Sequence, residues 1–138
     1  MDLIIARHTF TFLYNLRKGA MCVKRIDAVI RPEKLQAVIK ALRKTGVNGF
    51  TVIPVQGRGQ ERNTHGVYRG HTYDINLHPK IKLEIVVSDN YLNRTIEAII
   101  DSAQTGEMGD GKIFVYEVLD AYNIRTGVVD ETIDELKR

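Results

Sequence analysis

Twice along this chain the spacing of apolar residues changes from every second position to helical spacing and back, and few folds accommodate that order. Between Arg25 and Arg31, Ile26, Ala28 and Ile30 share one face while Arg25, Asp27 and Arg31 take the other, as in a half-buried strand. Leu35, Val38, Ile39 and Leu42 follow at helical spacing. Pro32 and Glu33 suit a first turn, Lys40, Arg43 and Lys44 suit a last one, and Gly46 is a stop. Phe50 to Gln56 reads as a second strand, and Pro54 inside it, unable to donate to a ladder, predicts a sheet edge. Ile81, Leu83, Ile85 and Val87 alternate as a third strand. After Asp89 as a cap, a second helix presents Leu92, Ile96, Ile99, Ile100 and Ala103. Ile113 to Leu119 is a fourth strand, Tyr122 to Thr126 a short extra one, and Asp130 to Arg138 a loose terminal helix. The expected architecture is α+β, a ferredoxin-like double βαβ with an antiparallel sheet and both helices on one face.

Composition narrows the class. The 138 residues suffice for one domain with a core, and 43% apolar with 27% charged residues suits a soluble globular chain. No apolar run approaches the roughly 18 residues of a membrane span. A single cysteine, Cys22, rules out an internal disulfide framework and fits a reducing cytosol. Histidines 8, 65, 71 and 78 lack metal-ligand spacing, so zinc is not expected. Of the formal charge of +3, Arg7, Arg17 and Lys18 against Asp2 put +2 in the first twenty residues and leave +1 for the rest. So nearly neutral a body argues against direct nucleic-acid binding. Residues 1–20 read as an extension outside the domain, with Met21 as an alternative start; Asp2 and Arg7 interrupt what would be a signal-peptide core, and a mitochondrial-type presequence is the weaker alternative. The domain is expected at 21–138.

Two stretches go beyond the minimal fold. Gly57 to Pro79 is more than twenty mostly polar residues with no sustained period, the profile of a functional or mobile loop. TGEMGDGKIFVY, Thr105 to Tyr116, places three glycines and Lys112 directly before a strand. It reads either as an anion nest with a cation beside it or as a tight helix-to-strand connection with Lys112 in solvent. It is not a P-loop, which needs a helix after its glycines. Asp110 or Glu61 could orient a water in a slow nucleotide hydrolase, but no paired general acid and base is evident, so an enzyme is not expected. An RNA-binding sheet would need aromatics where strand one has Ile26, Ala28 and Ile30.

The runs KRIDAVIRPEKLQAVIKALRKTGVNGFTV, VYRGHTY, PKIKLEIVV, TGEMGDGKIFVYEV and IRTG resemble the PII nitrogen-regulatory signal-transduction family, over Met21 to Arg138. The resemblance implies a homotrimer that binds ATP or ADP, with Mg2+ possible alongside ATP, in clefts between subunits. It also implies that the long loop, the T-loop at about 57–79, docks on partners. Those would be an ammonium or other membrane transporter, or an enzyme or regulator of nitrogen metabolism, met in the cytoplasm or at the membrane through that partner. By match to family positions, Gly109, Asp110, Gly111, Lys112 and Arg125 are phosphate-binding, and Gly57 and Gly59 form the T-loop base. Glu84 and Val86 lie near the adenine, while Gly49, Phe50, Thr51 and Thr105 reach the nucleotide from the sides. Tyr68, Arg69, Gly70 and Tyr73 match the partner-facing T-loop, and Tyr73 matches a tyrosine that is modified in some members. His71 and His78 read as solvated loop histidines. Three positions depart from the pattern: Glu61 replaces a glutamine that helps hold 2-oxoglutarate and magnesium, Asn123 replaces a second phosphate arginine, and Asn63 to Gly66 is unusual. Lys80, the match to a lysine that pairs with that effector's carboxylate, is present. With Glu61 opposing it, weak 2-oxoglutarate binding is expected, unless Glu61 ligates magnesium or Gln60 takes its place.

Overall fold

A computed structural model describes residues 22–59, 64–75 and 77–129. Strand β1 (Val23–Ile30) runs antiparallel between β5 (His78–Ser88) and β6 (Gly111–Val118), and β2 (Thr51–Gly57) flanks β5, giving the sheet order β2-β5-β1-β6. Pro54 therefore lies on an edge strand, as its inability to donate to a ladder led us to expect. The register puts Ile26 opposite Ile85 on one side and Val115 on the other. Alternation then sends Ile26, Ala28, Ile30, Leu83, Ile85 and Val87 to one face, where all are buried.

Helices α1 (Leu35–Thr45) and α2 (Asp89–Ala103) cover that face and pack on each other, adding Val38, Leu42, Ile99 and Ala103 to the core. Burial of each larger aliphatic side chain contributes about 1.5–3 kcal/mol, so this layer supplies most of the driving force. The chain is thus the expected α+β ferredoxin-like double βαβ. Pro32–Lys34 forms a 3-10 turn ahead of α1, and Gly46 closes the helix through an N–H bond to the Arg43 carbonyl.

The details differ in four places. Asp89 is the first residue of α2 and not its cap; Ser88 holds the cap position in extended backbone, and the Asp89 N–H binds the Cys22 carbonyl. Ile100 stays 44% exposed, because the buried stripe runs instead through Thr95, whose hydroxyl donates to the Tyr91 carbonyl. Tyr122 to Thr126 is a turn with a single bridge, Tyr122 to Val129: the Asn123 N–H donates to Val128 O, and the Asn123 side-chain oxygen accepts from the Thr126 N–H.

The largest difference lies in the long loop, which contains a hairpin of its own, β3 (Thr64–Tyr68) with β4 (His71–Ile75). Arg69 and Gly70 form its two-residue turn, both left-handed at φ 49° and 79°. That is the twist a tight hairpin demands, usually met by Asn-Gly. The extension before residue 21, Glu61 and the expected terminal helix at Asp130 to Arg138 lie outside the described residues.

Where β6 begins is set by sterics. Gly111 pairs with Ile30 at φ 105°, and a Cβ there would sit 1.7 Å from the Val29 carbonyl oxygen. Neither backbone can yield without breaking the β1–β6 ladder. Gly111→Ala should therefore cost about 3 kcal/mol or more, combining positive-φ strain with overpacking. Urea melts of parent and variant check this, whereas Gly106→Ala, with no atom within 4 Å of the added carbon, should cost less.

Candidate functional site

At the end of the sheet where β2 and β1 finish and β5 and β6 start, a cleft of about 440 Å³ opens on the helix-free face. Gly57, Arg58 and Gly59 form one wall, and Gly109, Asp110, Gly111 and Lys112 the other. Lys80 enters from β5, and Val29 and Phe114 supply an apolar floor. Three cations thus converge with glycine-rich backbone, a combination suited to an anion carrying an apolar group.

The glycine wall is held by an internal carboxylate. Asp110 Oδ1 accepts from the Thr105 hydroxyl at 2.5 Å and from Arg31 Nε at 3.1 Å; Oδ2 accepts from the N–H groups of Thr105 and Gly106 at 2.8 and 2.9 Å. These donors, the Thr105 hydroxyl foremost, hold the Asp110 carboxyl far below the usual carboxylate range, so it is ionised throughout the neutral region. Arg31 Nη2 also donates to the Met108 carbonyl at 2.7 Å, and Lys80 Nζ to the Gly109 carbonyl at 2.6 Å. Lys80 is only 8% exposed, its stem lying along the cleft wall.

The residues singled out in the sequence fall into two groups. Gly57, Gly59, Lys80, Gly109, Asp110, Gly111 and Lys112 meet at the cleft. Thr105 braces the loop through Asp110 and is not part of the lining. Thr51 and Glu84 face each other across β2 and β5, with Val86 two residues further on. They share the helix-free face but lie toward its other end, since the four residues from Lys80 to Glu84 span roughly 13 Å of strand. Glu84 accepts from Arg25 at 2.9 Å and pairs with Lys82 at 3.0 Å, and Arg25 also grips Asp27. Val86 borders a second cleft with Arg25, Tyr116 and Tyr122. Phe50 packs against the core, and Gly49 precedes β2.

Arg125 stands exposed on the turn that Asn123 holds, beside an Ile124 that is 99% exposed. Tyr68, Arg69 and Gly70 form the exposed hairpin tip, with the Arg69 guanidinium 5.3 Å from the Tyr68 ring centroid. Tyr73 lies on β4 opposite Gly66. Sequence reasoning missed Arg31 and Arg58. Arg31 read as the exposed end of a strand; the only available signal was an aspartate amid glycines, which calls for a cation to balance it.

Fold and cleft define a ferredoxin-like α+β protein with a cationic, glycine-walled site at one end of its sheet. A family model described as "Nitrogen regulatory protein P-II" matches residues 23–128. Nitrogen regulatory protein P-II 1 of Methanothermobacter thermautotrophicus is 50% identical over 105 residues, covering 76% of this chain and 91% of the relative. Nitrogen regulatory protein P-II of Haemophilus influenzae is 47% identical over 109 residues, covering 79% and 97%. P-II 1 of Escherichia coli K12 is 45% identical over the same length and coverage. The chain belongs to the P-II nitrogen regulatory protein family, whose members named here are regulators. None of its described helices is long and apolar enough to cross a membrane.

Proposed function

We propose that this protein is a nucleotide-responsive signal transducer: it binds ATP or ADP at the interfaces of a homotrimer and relays the bound state to a partner through the loop between β2 and β5. The observation that carries this reading is the convergence of Lys112, Lys80 and Arg58 with four glycines on one cleft. Phosphates need cations and close backbone approach, and this wall offers both. The separation of Thr51, Glu84 and Val86 from the glycine wall supports a site shared between copies, each copy giving one group to either neighbour. Exposed Phe114, Tyr116, Tyr122 and Ile124 support packing against another copy as well.

Magnesium, where present, would arrive on the nucleotide, whose phosphate oxygens suit that hard cation. A hydrolase is the weaker reading, because both oxygens of Asp110 are committed to loop donors and would make a poor base. The partner-facing element is the β3–β4 hairpin with Tyr68 and Arg69 at its tip, and Tyr73 is its candidate modification position. The partner is a transporter, ammonium or other, or a nitrogen-metabolism enzyme or regulator, and membrane contact comes only through it.

Lys112→Ala tests the site. Loss of a charge-assisted phosphate contact is worth about 1.5–3 kcal/mol, so ATP affinity measured by calorimetry should fall roughly ten- to a hundredfold while the trimer persists. Unchanged affinity would remove Lys112 from the site.

The second expectation is weak 2-oxoglutarate binding. A Glu61 carboxylate about 4 Å from those of the effector would cost on the order of 4 kcal/mol at an effective dielectric of 20, with magnesium offsetting part. Titration with saturating Mg-ATP should give weak binding by the parent and a gain in Glu61→Gln. Tight binding by the parent would refute the repulsion, and a variant as weak as the parent would clear Glu61 as its cause.

A further inference from the structure

We infer that Arg31 is a positioning residue for the cleft: it holds the Thr105–Gly111 loop in the shape that accepts phosphate without itself contacting the ligand. The inference rests on the nucleotide reading of that cleft and names what sets its affinity from outside the lining.

Three consecutive residues of the loop are tied down by two cations from separate parts of the chain. Arg31, just past the end of β1, takes the Met108 carbonyl with Nη2 and the Asp110 carboxylate with Nε. Lys80, on β5, takes the Gly109 carbonyl between them. None of the described peptide bonds is cis, so each carbonyl points opposite to the N–H of the next residue. Holding the carbonyls of Met108 and Gly109 therefore also sets the directions of the Gly109 and Asp110 N–H groups within the glycine wall. Arg31 is absent from the cleft lining and its side chain is 22% exposed, so it acts on the loop and not on the ligand.

A second effect runs through charge. An ionised aspartate in a phosphate-binding wall repels phosphate, and the Arg31 guanidinium beside it cancels much of that field. The planar fork of arginine reaches both acceptors at once, whereas the single ammonium of lysine keeps the charge and loses one of the two bonds.

Rapid mixing of a fluorescent ATP analogue with the assembled full-length protein tests this through the split between association and dissociation rates. A loop that visits its binding shape only part of the time binds in proportion to that fraction, so its loss appears in association. Arg31→Ala should slow association about tenfold with dissociation changed by less than about twofold, and Arg31→Lys should recover part of the loss. Lys112→Ala, removing a direct contact, should instead speed dissociation. Faster dissociation of Arg31→Ala at unchanged association would make Arg31 a contact residue and overturn the inference, as would unchanged rates. If Arg31→Ala does not assemble, Arg31→Lys and Arg31→Gln replace it: slower association in both, greater in Arg31→Gln, supports the inference, and any other order overturns it. A parent protein that binds neither ATP nor ADP would sink the nucleotide reading itself, a failure distinct from any of these.

Discussion

The close approach of Gly111 to the Val29 carbonyl is the contact on which the rest depends. It fixes the residue at which β6 begins, and β6 can begin nowhere else without moving all its side chains relative to β1. With Gly111 opposite Ile30, Ile113 joins the core while Lys112 and Phe114 fall on the helix-free face. The Thr105–Gly111 loop is then left to span the gap from α2, and it closes on itself through Asp110. A single steric requirement thereby aligns the core on one side of the sheet with the cleft on the other.

Much of this was legible in the sequence because periodicity and burial agree. The alternation of Ile26, Ala28 and Ile30, and of Leu83, Ile85 and Val87, states which face is buried, and Pro54 states which strand is at the edge. The glycine cluster marked one wall of the cleft for a physical reason, close backbone approach. The β3–β4 hairpin was not legible, since its strands are largely polar and its turn is Arg-Gly, with a non-glycine residue forced to φ 49°. Thr95 in place of Ile100 on the buried stripe was hidden because a threonine satisfied by its own helix counts as apolar volume. The Arg31–Asp110 pair joins residues 79 apart, beyond the reach of any local pattern.

The division of the family-matched residues into two groups has the same origin. Antiparallel pairing brings Gly57 beside His78 and Lys80 beside Val55, so the base of the loop and the glycine wall share one end of the sheet. The same register carries Thr51 and Glu84 toward the other end, where Glu84 is engaged by Arg25 and Lys82. Within one chain these groups stand at opposite ends of one face, and the shared-site reading proposed above brings them together through a second copy.

Mixed assemblies measure that requirement most directly. Lys112→Ala chains keep the Thr51 group and Thr51→Glu chains keep the glycine wall, so each variant alone should bind ATP poorly at a concentration that saturates the parent. Refolded together, they should regain a fraction of the parent's sites, formed where the intact groups of unlike chains meet. A mixture that binds no more ATP than the sum of its separate components would contradict a shared site, as would full binding by Thr51→Glu alone.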